Sequence, residues 1–499
     1  MASFIVNISQ LTLSRGLSFA LGLVATPIVA RLYLPEHFGI YGLVGAVATW
    51  VSAFATLGYY QALPMAQDRA ENRALVRLCL WLTALLLIPI TLIFGLGGGL
   101  VAEVMREPAI APFLWFVPLL FLLDSLSSIA DDALMKEGRF GVISLVTFLA
   151  INLERLLTIL WALLLGASTL GLFMGNLLGV YVGTAIALGV LAVIFHRSRH
   201  PGLYRTPTIW EMAKKYAQFP KIQMWTNLLK VSAMRVPFFV LGFLFGPVTL
   251  GYFAFSRTII TLPQRLFGIS VDQVFYPQAA QEWQESGSVT STILKTVRVF
   301  STVVVYPLLS LGLLAPLFFN ILFGSRWDEA AVLCQLQSLW VFANILTTPF
   351  GNVFLIVRRA HLLLWYSAAQ LAVSAATLLI GGWLGGARLA VALFSLGGSL
   401  VYGHMFVFCL HLGKVRARGV IWIFVKEILY AAAALAPPTT FYYLTHRRWL
   451  GLGLYLLCSL AYAALMLRRE PKIKQRLLEI LRRQVQHPAE EKQAAKPGD

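Results

Sequence analysis

Hydrophobic residues make up 58% of the 499-residue chain and charged residues only 12%, and the mean hydropathy is +0.75. Soluble proteins are typically about 45–50% apolar and about 25% charged, so this composition excludes an ordinary soluble domain and indicates a chain surrounded by lipid. The net charge of +18 is better explained by basic loops at an anionic membrane surface than by nucleic acid, which we do not expect as a partner.

Apolar segments long enough to cross a bilayer recur along the chain. A spanning helix needs roughly 20 mostly apolar residues, because lipid cannot satisfy backbone amides. We therefore predict an all-α polytopic membrane protein with about fourteen transmembrane helices. The predicted spans are 8–30, 39–63, 78–100, 111–133, 141–165, 170–195, 221–244, 248–277, 293–322, 330–357, 361–383, 388–411, 421–444 and 449–467.

Basic residues alternate between the breaks that separate these spans. Of the 40 lysines and arginines, 28 fall in every second break or in the C-terminal tail, and only six fall in the intervening breaks. Cytoplasmic loops carry an excess of positive charge, so this asymmetry places both termini in the cytoplasm. We expect the first apolar segment to stay as a helix, because no basic region or cleavage site of a signal peptide precedes it.

The first half of the chain carries ionisable residues inside its predicted spans. Arg15 lies in the first span, Asp124 in the fourth, and Glu154 beside Arg155 in the fifth. Such groups are costly in lipid, about 2.5–3.5 kcal/mol each near the centre of a span, so they face a cavity or a partner. Asp124 and Glu154 either pair with a cation or bind a coupling proton, and we favour pairing.

The second half carries a cluster of cations in two consecutive spans. Lys230 and Arg235 lie in the seventh span, and Arg257 and Arg265 lie in the eighth, with only Asp272 to oppose them. These cations either line a cavity for an anionic ligand or extend to the headgroups and pair between helices. Arg15 and Arg265, nearer the inner surface, are the ones best explained as headgroup anchors.

Two prolines next to these cations interrupt the same spans. Pro237 and Pro263 remove backbone hydrogen bonds from the seventh and eighth spans. In a transporter such breaks are bending points, so we regard both prolines as hinge candidates.

The four cysteines and the C-terminal tail carry no sign of catalysis. Cys79, Cys334, Cys409 and Cys458 lie in different apolar segments with no metal or disulfide spacing, and we expect no metal and no cofactor. Residues 468–486 alternate apolar and basic positions at helical spacing, which is typical of a helix on the anionic inner leaflet or of a solvated tail.

A repeated turn divides the chain into similar halves. Pro35-Glu36-His37-Phe38-Gly39-Ile40-Tyr41 and Pro247-Val248-Thr249-Leu250-Gly251-Tyr252-Phe253 share the pattern P-x-x-[FL]-G-x-aromatic at an offset of 212 residues. Six spans separate the copies, so both have the same orientation and are related by an axis along the membrane normal. The predicted units are a six-helix lobe (1–195), a basic cytoplasmic linker (196–220), a second six-helix lobe (221–411), two additional helices (412–467) and a basic cytoplasmic tail (468–499).

Three segments resemble one family of transporters. ARLYLPEHFGIYGLVGAVATWVSAFATLGYYQALPMAQD (30–68), GYFAFSRTIITLPQRLFGISVDQVFYPQAA (251–280) and FGSRWDEAAVLCQLQSLWVFANILTTPFGNVFLI (323–356) are similar, in order and spacing, to bacterial polysaccharide and O-antigen repeat-unit flippases of the multidrug/oligosaccharidyl-lipid/polysaccharide superfamily.

The resemblance implies a fold and a cargo. It implies two six-helix bundles around a central cavity, alternating access, and an undecaprenyl-diphosphate-linked oligosaccharide exported across the bacterial inner membrane. The site residues that we then expect to bind the diphosphate are the five cations Arg15, Lys230, Arg235, Arg257 and Arg265. Anionic inner-leaflet lipids, and a glycan polymerase with its chain-length machinery, are the further partners that we expect.

Three other functions compete with this one. A cation-coupled drug exporter of the same superfamily would need an acidic cavity, whereas the cluster here is basic. A peptidoglycan-precursor flippase shares the lipid and the mechanism, and the sequence separates it poorly. A glycan polymerase or ligase would be an enzyme with a long outer loop and catalytic groups, and every predicted outer loop is short, so we expect no enzymatic activity.

Overall fold

The structure is a computed structural model that describes residues 2–197, 207–359 and 361–469. Within these ranges it describes all side chains except those of residues 2–13, 15, 265–274 and 299. Three of the predicted features therefore lie outside the described residues. They are the side chains of Arg15 and Arg265, residues 198–206 of the predicted linker, and the part of the predicted tail that follows residue 469.

The described chain is built from α-helices. Their bounds are α1 Ala2–Leu32, α2 Pro35–Ser52, α3 Arg69–Ile90, α4 Gly98–Val104, α5 Phe116–Lys136, α6 Phe140–Leu165, α7 Thr169–Arg197, α8 Ile209–Lys215, α9 Met224–Ile260, α10 Leu262–Ser286, α11 Thr290–Leu322, α12 Asp328–Phe350, α13 Asn352–Ile356, α14 His361–Leu412, α15 Ala417–Thr445 and α16 Arg448–Arg469. Short 3-10 or π-helical segments are Ala55–Met65, Thr91–Leu96, Pro108–Phe113, Phe219–Gln223 and Ser325–Trp327. The described ranges contain no β-strand.

The helices have the length and composition of a polytopic membrane protein. In the described ranges nine helical runs are long and apolar enough to cross a bilayer, or ten if α1 and α2, bent by 114°, form one broken span. Their large apolar side chains face outward, as with Leu164, which is 77% exposed, and Trp383, which is 92% exposed. A soluble protein would not leave such a surface in water. The predicted all-α membrane fold is confirmed, whereas the number fourteen stays a prediction.

Two of the helices are broken by glycines. The 52 residues of α14 would form a straight rod of about 78 Å, more than twice the roughly 30 Å hydrocarbon core. Gly385 and Gly386 leave helical geometry in its middle, with φ of +81° at Gly386, and Gly246 breaks α9 with φ of +72°. Glycine has no Cβ, so these positive φ angles cost little there. Each break divides a helix close to a boundary between two predicted spans.

The two copies of the repeated turn contact each other. A Cβ atom on Gly39 would lie 1.7 Å from the backbone oxygen of Pro247, and one on Gly251 would lie 1.8 Å from the backbone oxygen of Pro35. Each glycine therefore lets the other copy's proline carbonyl approach its backbone. A two-fold axis through the crossing of α2 and α9 produces paired contacts of this kind, in which each copy contacts the other through the same positions. The division into lobes 1–195 and 221–411 remains a prediction that this crossing favours.

Further bonds join the first and second halves beside this crossing. Arg31, at the end of α1, donates from Nε to the backbone oxygen of Leu322 at 3.0 Å and from Nη2 to that of Ile321 at 2.8 Å. The indole of Trp327, which is fully buried, donates to the backbone oxygen of Ala30 at 2.8 Å. With the predicted topology these contacts lie at the outer face, so the halves are closed there.

The second predicted span, 39–63, is not a single helix. Its α-helical part ends at Ser52, and Thr56, Leu57 and Gly58 follow with φ of +51°, +51° and +82°. Left-handed conformations cost a non-glycine residue roughly 1–2 kcal/mol, so the break stores strain at Thr56 and Leu57. The Thr56 hydroxyl accepts a hydrogen bond from the Tyr60 amide at 3.1 Å and so starts the helical turns that follow.

The end of the linker is attached to the first half through Glu71. This carboxylate is buried in the first turn of α3 and accepts hydrogen bonds from the Tyr216 hydroxyl at 3.1 Å and the Gln67 amide at 2.7 Å. It also forms an ion pair with Lys215 at the end of α8. The hydrogen bond to Glu71 raises the pKa of Lys215, which is the direction expected when the folded state stabilises the charged form of the lysine.

We expect Glu71→Ala to lower the free energy of unfolding by about 1–3 kcal/mol, because three donors lose a buried acceptor. Thermal unfolding of the purified protein in detergent, followed by intrinsic fluorescence, measures the change as a Tm lower by several degrees. Glu103→Ala, at an exposed carboxylate, is the matched control and should leave the Tm unchanged. An unchanged Tm for Glu71→Ala would show that the linker is attached by other contacts.

The predicted topology can be tested independently. Reporter fusions after Arg197, Lys414 and Arg469 should all report a cytoplasmic location, because the basic breaks alternate with the spans. A periplasmic signal at Lys414 alone would show that the helices of the second half are miscounted.

Candidate functional site

Two of the predicted cations flank one buried aromatic ring. The Cζ atom of Arg235 lies 5.6 Å from the ring centroid of Phe238, and that of Arg257 lies 6.0 Å from the same centroid. Arg235 and Phe238 are three residues apart on one face of α9, and the break at Gly246 turns the chain so that Arg257 returns to this ring. The two guanidinium groups are close enough to repel each other. We call them the arginine pair.

Arg257 lies among aromatic side chains. Its Cζ atom is 4.4 Å from the ring centroid of Trp340 and 5.8 Å from that of Phe253. Cation–π contacts of this kind contribute on the order of 2 kcal/mol when they are desolvated. Its Nη1 atom is nevertheless buried with no hydrogen-bond partner among the described residues. A buried donor without a partner costs about 1–3 kcal/mol, so an acceptor from a ligand would stabilise it.

Arg235 contacts the first half of the chain. Its Nη2 atom donates to the Thr49 hydroxyl of α2 at 3.2 Å. Asp124 of α5 attracts it electrostatically and accepts a hydrogen bond from the Ser52 hydroxyl at 3.1 Å. Arg235 therefore connects the two halves of the chain, and Asp124 offsets part of the charge of the arginine pair.

Glu154 and Arg155 line a separate small cavity. Its volume is about 160 Å³, and its polar lining also includes Thr26, Tyr41 and Thr258. Glu154 accepts a hydrogen bond from the Asn176 side chain. The cavity lies between α1, α2, α6, α7 and α9, next to the crossing of the two turns.

The guanidinium group of Arg155 has a structural role. It donates from Nη1 to the backbone oxygen of Ser18 at 2.5 Å and to the Asn152 side chain at 3.2 Å. The guanidinium group packs directly against the backbone of Gly22. A Cβ atom at that position would lie 2.7 Å from the arginine Nη2, so only glycine leaves room for it. Arg155 thus fastens α6 to α1, and the pairing of Asp124 and Glu154 with a cation stays a prediction.

Comparison with known proteins assigns the chain to a family. The family model described as "Polysaccharide biosynthesis protein" matches residues 28–332. The chain belongs to this polysaccharide biosynthesis family. The resemblance that the three sequence segments indicated is thereby confirmed.

Two curated relatives are similar to this family member over most of its length. The lipopolysaccharide biosynthesis protein WzxC of Escherichia coli is 18% identical over 367 residues, which cover 74% of this chain and 73% of that protein. The succinoglycan biosynthesis transport protein ExoT of Rhizobium meliloti is 22% identical over 331 residues, which cover 65% of this chain and 63% of that protein.

Solved structures share the fold of this polysaccharide biosynthesis protein. The lipid II flippase MurJ in an inward closed conformation matches with a TM-score of 0.69 and 13% identity, over 92% of this chain and 99% of that one. An inward-facing multidrug resistance MATE transporter of the MOP superfamily matches with a TM-score of 0.65 and 13% identity, over 82% and 98% of the two chains. At these identities the likeness establishes the fold alone.

The structure brings only part of the predicted site together. Arg235 and Arg257 lie at one place with Asp124 nearby, whereas Lys230 is exposed and Glu154 lines the 160 Å³ cavity beside the crossing of the two turns. Arg15 and Arg265 stay predictions, because their side chains are not described.

The two hinge candidates differ in their surroundings. Pro263 lies in the first turn of α10, directly after Thr261, the residue that separates α9 from α10. Pro237 is buried inside the unbroken first part of α9, and the break in that helix falls at Gly246 instead. Their roles as hinges stay predictions.

Four residues of the site are absent from the sequence prediction. Thr49 and Ser52 could have been noticed, since they are two hydroxyl residues spaced three apart and so lie on one face of a predicted span. Phe238 and Trp340 could not, because aromatic residues in apolar spans are ordinarily packing residues, and only the fold places them against guanidinium groups.

Proposed function

We propose that this protein is a flippase. It moves an undecaprenyl-diphosphate-linked oligosaccharide, the repeat unit of an O-antigen, capsule or exopolysaccharide, from the cytoplasmic to the periplasmic leaflet by alternating access. The single observation that carries this proposal is the arginine pair, with the Nη1 atom of Arg257 left without an acceptor among the described residues. Membership of the polysaccharide biosynthesis family and similarity to a named transport protein support the same cargo.

The physical argument concerns charge. Two guanidinium groups held against one ring repel each other, so a nearby anion stabilises the arginine pair. Asp124 attracts Arg235 and supplies part of this negative charge. A diphosphate offers several oxygens, and charge-assisted hydrogen bonds to it are roughly twice as strong as neutral ones. Guanidinium is also planar and binds phosphate through two parallel hydrogen bonds. The arginine pair is therefore suited to bind the diphosphate, which is the same whatever sugars the cargo carries.

The competing functions fit these contacts less well. A cationic drug would be repelled by the arginine pair, although the fold is shared with drug exporters. A peptidoglycan precursor carries the same diphosphate, but the named relatives belong to lipopolysaccharide and succinoglycan biosynthesis. Transport itself breaks no covalent bond, so we infer that the protein is not an enzyme.

The location and partners follow from this function. We place the protein in the bacterial inner membrane with both termini in the cytoplasm, where its basic breaks contact anionic lipids of the inner leaflet. A glycan polymerase with its chain-length machinery would receive the exported unit on the periplasmic side.

Deleting the gene tests the proposal. The lipid-linked repeat unit should accumulate on the cytoplasmic leaflet while the surface glycan is lost, and the gene on a plasmid should restore export. Loss of a polymerase would instead leave single units on the periplasmic leaflet. Unchanged surface glycan in the deletion strain would contradict the proposed function.

A further inference from the structure

A groove separate from the arginine pair runs between α9 and α14 at their cytoplasmic ends. Its volume is about 720 Å³, and its walls are mainly apolar, with Leu228 and Leu229 on one side and Leu364 and Ala368 on the other. This apolar surface suits a hydrocarbon chain rather than a sugar, whose hydroxyl groups would lose hydrogen bonds to water against it.

The lower end of the groove is basic and aromatic. Lys221 and His361 line it there and are exposed, and among the described residues that line the groove none is an Asp or a Glu. Trp225 and Trp365 also line the groove and are 57% and 71% exposed. Indole rings favour the headgroup level of a bilayer, and cations there attract phosphate. The groove thus places a phosphate-binding rim below an apolar channel.

The length of the groove matches one leaflet. Lys221 and Ser232 mark its ends on one side, and 11 residues of helix cover about 16 Å. One leaflet of the hydrocarbon core, half of its roughly 30 Å, has a similar depth. A lipid of the inner leaflet would therefore have its phosphate at Lys221 and its chain directed toward Ser232.

The upper end of the groove lies next to the arginine pair. Ser232 lines the groove and accepts a hydrogen bond from the Trp50 indole of α2 at 2.9 Å. Arg235 follows three residues later on α9, less than one helical turn away. A chain held in the groove therefore ends beside the cations to which a diphosphate would move.

We propose that this groove receives the polyprenyl chain of the cargo lipid, with its diphosphate first bound at Lys221 and His361, before the headgroup reaches the arginine pair. This inference rests on the proposed function and adds an entry site to it. An ordinary inner-leaflet phospholipid is the alternative occupant that the test must exclude.

Photo-crosslinking in proteoliposomes tests the groove. The full chain carries photoreactive p-benzoylphenylalanine at Leu229, in vesicles of phosphatidylethanolamine and phosphatidylglycerol with radiolabelled undecaprenyl diphosphate as the probe. We expect labelling at Leu229 at least about fivefold above that at Leu457, a lipid-exposed position on α16 that is 65% exposed. Unlabelled undecaprenyl diphosphate should compete, whereas extra phosphatidylglycerol should not.

Variants make the test specific. Trp225→Ala with Trp365→Ala should lower labelling at Leu229 at least about fivefold, whereas Trp422→Ala, at a tryptophan that is 56% exposed on α15, should not. Lys221→Ala should lower labelling by undecaprenyl diphosphate more than labelling by uncharged undecaprenol. Equal labelling at Leu457, or equal competition by phosphatidylglycerol, would overturn the proposal.

Export measured on the same preparations separates the two proposals. Protein that carries p-benzoylphenylalanine at Leu229 and moves the lipid-linked glycan without being labelled there would overturn the groove and leave the proposed function intact. Labelling at Leu229 in a protein that moves no lipid-linked glycan would overturn the proposed function instead.

Discussion

Arg257→Ala or Arg235→Ala is expected to lower glycan export at least about tenfold while the protein still inserts and folds. A charged hydrogen bond contributes about 1.5–3 kcal/mol, and each 1.36 kcal/mol is a factor of ten in rate, so one lost bond to the diphosphate gives roughly 10- to 150-fold. The measurement is surface glycan per molecule of folded transporter, with folding followed by monodispersity in detergent.

Conservative variants separate charge from packing at Arg257. Arg257→Met keeps apolar contact with Trp340 and removes the charge, so its export should stay low although its stability is retained. Arg257→Lys should recover export only in part, because an ammonium group lacks the planar donors of guanidinium. Arg326→Ala, at an exposed arginine beyond the arginine pair, is the matched control. Normal export by a variant with both Arg235→Ala and Arg257→Ala would remove these residues from the mechanism.

Gly39→Ala is expected to open the outer crossing and to lower export. Its new Cβ would lie 1.7 Å from the Pro247 oxygen, a backbone atom, so α2 and α9 must separate. Overpacking typically costs about 1–3 kcal/mol, which corresponds to a 5- to 150-fold shift from the closed toward the open outer face. Gly251→Ala should act in the same way through Pro35. Gly45→Ala on the same helix, where the added Cβ meets no atom within 4 Å, should be silent.

Accessibility from outside reports this shift directly. A membrane-impermeant maleimide reacts with Thr26→Cys, whose side chain lines the cavity beside the crossing, in a background with Cys458→Ser. Labelling should rise at least about fivefold with Gly39→Ala and stay at the background level with Gly45→Ala. Equal labelling of the two variants would show that the crossing does not seal the outer face.

Much of the fold was accessible from the sequence, because in lipid each spanning segment must satisfy its own backbone. The segments are therefore visible as apolar runs. The repeated turn was visible too, and Gly39 and Gly251 prove to be where its two copies meet. That they meet each other could not be predicted, since spacing along a chain fixes orientation but not which helices cross.

Only part of the candidate site could be predicted from the sequence. Cations in an apolar span are conspicuous, so Arg235 and Arg257 were predicted, but periodicity does not give the rotation of a helix in its bundle. Lys230 was therefore predicted to belong to the cationic cluster, whereas in the structure its side chain is exposed and is not part of the arginine pair. The break at Thr56 and Leu57 was also missed, because neither residue type favours positive φ and only tertiary packing holds it there.

Transport of a lipid-linked oligosaccharide by purified protein in proteoliposomes tests the central claim most directly. A fluorescent undecaprenyl-diphosphate-linked oligosaccharide is placed in vesicles of phosphatidylethanolamine and phosphatidylglycerol, and a membrane-impermeant reagent quenches the fraction on the outer leaflet. We predict that the wild-type protein makes the inner-leaflet pool accessible to the quencher, and that the variant with Arg235→Ala and Arg257→Ala does so at least about tenfold more slowly. An equal rate for the two proteins, or no transport by the wild type while a cationic dye is moved, would contradict the account.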